Sequence, residues 1–276
     1  TMTTILERAR ERGWPIYEVC YRENMNPVDG WLTQDEVDRK RSEIAKVMWE
    51  SEYELGEPSI EGRVLDTESV ERCFDRDLGQ GEVTNWTDPM IETLLADSKI
   101  AKSLLFVTGV DWAKEQDRTI ISTFMVDKVS GRWTCVAWSA MSRMPWPVMV
   151  AAAEERLRKF PGGFAHDATG LGNVISDYFD PSLRRKHNRV FADRIMGSGR
   201  SRQDLFSNYI SAIENDLIRY PRLTIPYNEH RFCTWDDLFG SGHAPDSFVA
   251  GAIAWSLRDQ MAGRHIPMPM GIRKRR

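Results

Sequence analysis

Three aspartates stand where a carboxylate can act on a ligand. Asp111 ends an apolar run of strand length, Ser103 to Val110, in the segment GVDWA (109–113). Asp167 ends the shorter run Phe164 to His166 and opens the Gly-containing turn HDATGLG (166–172). Asp246 begins a helical pattern near the C-terminus, in GHAPDSFVA (242–250). Carboxylates at strand ends project into the crevice beyond a sheet, where ligands bind, and a carboxylate in a first helical turn is favoured in its ionised form. Three such groups converging on one place repel one another unless cations share them. Hard oxygen ligands with no Cys or His cluster point to Mg²⁺ or Mn²⁺ rather than zinc. Two such ions about 3.5–4 Å apart activate a water, stabilise a leaving oxygen and split a phosphodiester in line. The chemistry is that of a nuclease. Taken singly, each Asp is equally an ordinary turn residue or cap, and Asp246 after Pro245 is a good N-cap candidate; the order of the three carries the joint reading.

The elements that must position them follow from periodicity. Ser103–Val110, Arg118–Val126 and Arg132–Ser139 are strand candidates. Val129-Ser130-Gly131 supplies a turn between the last two, so three consecutive antiparallel strands are expected. A helix is expected over Pro147–Phe160, a short strand over Phe164–His166 and a helix over Asn173–Phe179. A strand over Arg189–Ala192 and helices over Ser201–Leu217 and Asp246–Gln260 complete the pattern. Three strands followed by alternating helices and strands predict an α/β fold, a mixed sheet flanked by helices. Upstream, Tyr17–Tyr21 reads as a strand. Thr33-Gln34-Asp35-Glu36 reads as a capping box opening a helix from Thr33 to Glu54. Residues 55–97 are acidic, broken by Gly and Pro and weakly periodic, which reads as an arm or linker. The expected division is therefore an arm over 1–100 and a body over 101–276.

Charge follows the same division. Up to Ile100 there are 12 Lys+Arg against 23 Asp+Glu; beyond it there are 25 against 18, giving −11 and +7 within a total of −4. An acidic segment joined to a basic body fits a polyanionic partner, and two ordinary solvated surfaces explain the split as well. No apolar run reaches the roughly 18 residues of a membrane span, and the N-terminal fifteen residues carry charge where a secretory signal has its apolar core. Cys20, Cys73, Cys135 and Cys233 form no CxxC pair, which argues against a zinc module or a disulfide scaffold and fits a reducing compartment. His230 and Cys233 share an i,i+3 spacing, a weak zinc signal without further ligands. Trp133, Trp138 and Trp255 sit in apolar patterns and are expected in the core.

The segments GVDWAKEQDRTI (109–120), HDATGLGNVISDYF (166–179) and GHAPDSFVAGAIAW (242–255) resemble the nuclease part of the large subunit of tailed-phage terminases. MNPVDGWLTQDEVDRKR (25–41) and WESEYELGEPSIEGRVL (49–65) are similar to the stretch joining that family's ATPase to its nuclease. The resemblance implies a ribonuclease H-like fold, preceded by a partly helical acidic arm. It implies a two-metal endonuclease cutting double-stranded concatemeric viral DNA during packaging, in the cytoplasm of the infected bacterial host. It also implies Asp111, Asp167 and Asp246 as the ligands of Mg²⁺ or Mn²⁺, with Asp111 bridging the ions. Implied partners are DNA, an ATPase motor domain, the terminase small subunit and the portal protein, with no membrane. The family's ATPase carries a phosphate-binding loop; no GxxxxGK[ST] occurs here, so ATP hydrolysis is not expected of this chain, which reads as the linker and nuclease of a longer motor protein. Two other readings stay open: a resolvase- or transposase-type nuclease with the same acidic triad, and a DNA-gripping or portal-docking module that does not cut.

Further residues bear on DNA. Asp117, six positions beyond Asp111, is either an auxiliary group at the site's mouth or a surface turn residue. His243, three before Asp246, either orients or ligates a metal or simply enters the helix. The basic run Arg184, Arg185, Lys186 and Arg189, and the loop 197–202 with Arg200 and Arg202, are candidate contacts to the DNA backbone; a solvated turn and a polar loop with a Ser cap are the plainer alternatives. Backbone contacts carry little base information, so low sequence selectivity is expected.

Overall fold

The computed structural model describes residues 12–14, 21–25, 30–43, 49, 53, 62–97, 100, 104–113, 117–167, 175, 178–180, 182, 191–194 and 200–262. The chain divides into two compact units, Thr1–Glu61 and Gly62–Arg276.

In the first unit Tyr21–Asn24 forms a 3-10 turn, with the rest of the Tyr17–Tyr21 strand expectation lying outside the described residues. Helix α1, Gln34–Glu43, opens on the capping box expected of it. The Thr33 amide and hydroxyl both donate to Glu36 Oε2, at 3.0 and 2.7 Å, and the Glu36 amide donates back to Thr33 Oγ1 at 3.4 Å. Most of the expected continuation to Glu54 lies outside the described residues.

The second unit contains one mixed sheet of eight strands. Helix α2 (Thr67–Cys73) leads into β1 (Phe74–Gly81); β2 (Asn85–Thr87) and α3 (Pro89–Ala96) follow. Then come β3 (Phe106–Asp111), β4 (Arg118–Val126), β5 (Trp133–Ser142), α4 (Trp146–Lys159), β6 (Gly162–Asp167) and β7 (Phe191–Arg194). Helix α5 (Arg200–Glu214), β8 (Ile218–Leu223), α6 (Thr224–Phe232), α7 (Trp235–Phe239), α8 (Asp246–Trp255) and α9 (Arg258–Ala262) complete it. The strand order is β1-β8-β5-β4-β3-β6-β7, with β2 also pairing with β5. Strands β3, β4 and β5 are antiparallel neighbours, whereas β6 and β7 continue parallel on the other side of β3. This is the arrangement of a ribonuclease H-like core, with three meander strands followed by two parallel crossovers.

The arm expected over 1–100 does not coincide with these units. Residues 62–97 fold with the second unit: β1 pairs with β8, and β2 pairs with β5 through Trp86 opposite Trp138. Weak periodicity hid them because β1, FDRDLGQG, is an edge strand with a mostly solvated, charged face. Arg219 lies 3.7 Å from Asp75, and Arg222 bridges to Glu71, so the arm's acidic residues partly neutralise the body's basic ones.

Strand alternation divides β3 between two helical layers. Phe106 and Val110 face the side covered by α3 and α4, where they join Phe160, and Val150, Leu157 and Phe164, respectively. Thr108 bonds Thr123 on the same side, at 3.0 Å. The opposite parity, Val107, Gly109 and Asp111, faces α8. Every residue of α8 from Ser247 to Trp255 is buried, so this helix is apolar all round and sits within the core rather than on it. Such a helix approaches the sheet closely only over a residue without a side chain: a Cβ on Gly109 would stand 2.2 Å from the Ala250 carbonyl oxygen and 2.6 Å from the Ala254 nitrogen.

Trp133, Trp138 and Trp255 are all buried, as expected of core residues. His230 is buried too. Its ring makes bonds to the Tyr209 hydroxyl at 3.0 Å and the Pro226 carbonyl at 2.7 Å, and burial pulls its pKa down to about 4. It is a neutral core histidine, which removes the zinc signal it shares with Cys233. Among the described residues no helix is long and apolar enough to cross a membrane.

Candidate metal centre

The three aspartates meet because each lies on the α8 side of the sheet. Asp111 ends β3 and Asp167 ends the adjacent parallel strand β6, each one step beyond the register pair Val110–His166. On β6 the side chains of Phe164 and His166 turn toward Phe179 beneath α4, while a Cβ on Gly163 would meet Met261 and Leu257 beyond α8. Asp167 therefore shares Asp111's face. Asp246 is the first helical residue of α8, with Pro245 as the N-cap and no side-chain cap bond. The N-cap role expected for Asp246 is thus taken by Pro245, which frees the Asp246 carboxylate to turn toward the sheet.

The residues beside the two strand-end aspartates are stapled together. Trp112 Nε1 donates to His166 Nδ1 at 3.1 Å beneath the sheet, linking the residue after Asp111 to the residue before Asp167. Trp112→Phe removes this donor while keeping an aromatic ring, and is expected to cost about 1 kcal/mol. Equilibrium urea unfolding checks this, an unchanged midpoint counting against the staple.

On the other side, the loop from β3 to β4 is closed by Thr119, whose hydroxyl accepts from the Ala113 amide at 2.9 Å and donates to the Ala113 carbonyl at 3.0 Å. That closure presents the Arg118 amide to Asp246 Oδ2, to which it donates at 2.9 Å. The Arg118 guanidinium lies 3.6 Å from Glu229 Oε1 on α6, and the other oxygen of Glu229 accepts from the Ser247 amide at 2.8 Å.

Electrostatics show the crowding. Burial, followed by the charges of Asp246, Asp167, Asp117 and Glu229, holds the Asp111 carboxyl well above the usual carboxylate range. Asp246 is raised as well, by burial first; the Arg118 amide and His243 oppose the shift and Asp117 adds to it. Glu229 is raised mainly by its burial, against the bonds from Ser247. Each of these groups is held above its ordinary value in the absence of a cation, which is what a site built to receive positive charge produces.

His243 Nε2 lies 3.5 Å from Asp117 Oδ2 and 3.7 Å from Asp246 Oδ1. One ligand atom from each of Asp117, His243 and Asp246 falls within 4.8 Å of the others. The two auxiliary candidates are therefore neighbours of the triad, at its exposed rim: the His243 side chain is 72% exposed, against 12% for Asp246. The donor set of carboxylate oxygens with one imidazole fits a hard or borderline divalent cation.

Arg184, Arg185, Lys186 and Arg189 lie outside the described residues. Arg200 opens α5, and Arg202, in its first turn, stacks its guanidinium over the Phe206 ring at 5.5 Å. Sequence reasoning missed Glu229. It lies in TIPYNEHRF, where Pro226 obscures helical periodicity, although Pro is acceptable in a first turn.

No protein-family model matches the sequence, and no curated protein is significantly similar to it. Among solved structures, the large terminase nuclease from thermophilic phage G20c with bound zinc superposes with a TM-score of 0.51 at 16% identity, over 68% of this chain and 95% of that one. The same nuclease with bound cobalt gives 0.51 at 17% identity, over 68% and 94%. At that level of identity the likeness is one of fold, and the chain shares the ribonuclease H-like, mixed α/β fold of these terminase nuclease domains.

Proposed function

We propose that the chain is a divalent-metal-dependent DNA endonuclease of the terminase large-subunit type, which cuts double-stranded viral DNA during genome packaging. The observation that supports it most is the convergence of Asp111, Asp167 and Asp246 on one face of a ribonuclease H-like sheet, where neighbouring negative charge holds Asp111 in its protonated range. Asp111, Asp167 and Asp246 would hold Mg²⁺ or Mn²⁺, with Asp111 shared between two ions and Asp117 and His243 at the rim. Bound divalent ions supply Lewis-acid stabilisation of phosphate charge and acidify a water for in-line attack.

The chain's own residues do the rest. The Arg118 amide orients Asp246, and the rigid strand ends fix Asp111 and Asp167. The basic segments 184–189 and 197–202 would seat DNA phosphates, which gives low sequence selectivity and strong salt dependence. The unit 1–61 and the acidic residues up to 100 would face an ATPase motor, with the portal and the small subunit as further partners in the infected host cell. The zinc and cobalt bound by the phage G20c nuclease support a divalent site of this kind.

The test is cleavage of supercoiled plasmid with Mg²⁺, Mn²⁺ or EDTA, comparing the chain with Asp111→Ala. Nicking and linearisation that need metal and vanish in the variant are expected. Equal activity in the variant would reject the site. DNA binding that survives in EDTA, with no cutting by either protein in any metal, would favour a gripping module, and preferential cutting of four-way junctions a resolvase.

A further inference from the structure

Helix α8 carries Asp246 in its first turn, yet its N-cap is a proline with no side chain able to accept from the first amides. The missing acceptor comes from a different element. Glu229, on α6, accepts from the Ser247 amide at 2.8 Å, and its second oxygen faces the Arg118 guanidinium at 3.6 Å. The amide of the same Arg118 holds Asp246 Oδ2 at 2.9 Å. Glu229, Arg118, Asp246 and Ser247 thus close a ring joining α6, the first residue of β4 and the first turn of α8. Every link is short, and the Glu229 side chain is only 19% exposed.

Resting on the nuclease reading above, we infer that Glu229 is a positioning residue for the metal centre: it caps α8 from outside and, through Arg118, fixes the carboxylate of Asp246. A remote carboxylate suits this task. It satisfies an orphan amide, it complements the positive end of the helix, and it balances the guanidinium that would otherwise pair with Asp246. The carboxamide of glutamine retains the acceptor for Ser247 and much of the geometry, whereas alanine retains neither. Aspartate retains the charge but is one methylene shorter.

The experiment is isothermal titration of Mn²⁺ into the metal-free chain, with circular dichroism to verify folding and plasmid cleavage in parallel. Wild type, Asp111→Ala, Glu229→Ala, Glu229→Asp and Glu229→Gln are compared. Second partners of metal ligands are worth about 10–100-fold in affinity, so Glu229→Ala is expected to bind Mn²⁺ at least tenfold more weakly and to cut correspondingly slowly. Glu229→Gln should stay within about threefold of wild type on the same scale. Should Glu229→Ala fail to fold, Glu229→Asp takes its place with the same expected loss. Wild-type Mn²⁺ affinity in a folded Ala or Asp variant overturns the inference and assigns Glu229 to stability alone. Equal losses in Gln and Ala overturn it in favour of direct ligation by Glu229. Wild type that binds no Mn²⁺, indistinguishable from Asp111→Ala, overturns the nuclease reading and this inference with it.

Discussion

Asp111→Asn is expected to move activity and stability in opposite directions. Metal-dependent cleavage should fall by about a thousandfold or more, the scale of removing one preorganised electrostatic partner. In EDTA at neutral pH, the same variant should melt at a higher temperature than wild type. The Asp111 carboxyl titrates well above its ordinary value, because of burial first and then the charges of Asp246, Asp167, Asp117 and Glu229. A folded-state pKa above the unfolded one means that ionised Asp111 opposes folding. Wild type therefore loses stability as pH rises through the folded pKa and recovers it as pH falls toward the unfolded value near ~3.9. Asparagine is close in shape and cannot ionise, so its advantage is full above the folded pKa and gone below the unfolded one. Each kcal/mol relieved raises the melting temperature by about 2–4 °C in a chain of this size. Saturating Mn²⁺ reverses the order, because the cation stabilises wild type by linkage and the variant less. Differential scanning calorimetry at pH 4 and pH 7.5, in EDTA and in Mn²⁺, checks all four corners. A variant that is the less stable one in EDTA at pH 7.5 would contradict the electrostatic account.

The second large effect is steric. Gly109→Ala puts a methyl group 2.2 Å from the Ala250 carbonyl oxygen, 2.6 Å from the Ala254 nitrogen and 2.9 Å from its Cβ. The first two are backbone atoms of a buried helix, so no rotamer change relieves the clash; α8 must move off the sheet. Overpacking of a tight core costs 1–3 kcal/mol, and with two backbone contacts about 3 kcal/mol is expected. That corresponds to a fall in melting temperature of roughly 6–12 °C. Because Asp246 rides on α8, displacing the helix by about 1 Å is expected to slow cleavage by about a hundredfold even where the protein stays folded. Val129→Ala, at a turn residue that is 98% exposed, serves as the control and should change neither. A Gly109→Ala protein with wild-type melting and cleavage would show that α8 is free to move.

Much of the fold was legible in the sequence where periodicity and burial agree. Strand β4 runs from Arg118 to Val126, as its alternation predicts, and the capping box at Thr33 starts α1 where the Thr and Glu require it. Strand β6 is longer than its apolar run suggests, because Gly162 and Gly163 pair with β3 without contributing hydrophobicity. The strand expected over Arg189–Ala192 lies at Phe191–Arg194. Strand β8 was not legible: Pro221 interrupts its pattern, and in a ladder proline removes a donor. Here Pro221 lies beyond the two pairs joining β8 to β5, so no bond in that ladder is lost.

What the sequence by itself determined is the local chemistry: three aspartates at element ends, strands of the right period around them, and a helix starting at Asp246. Those features depend on residues near one another in the chain, where dihedral preferences and side-chain alternation act. Tertiary structure alone decided that β1 and β2 belong to the sheet, that the units divide after Glu61, and that the side of β3 opposite Val110 is the one facing α8. It also brought Glu229 and Arg118, far apart in sequence, to the two ends of Asp246's support. Such pairings arise from burying one apolar helix against one glycine-bearing strand, a constraint that exists only once the chain has closed on itself.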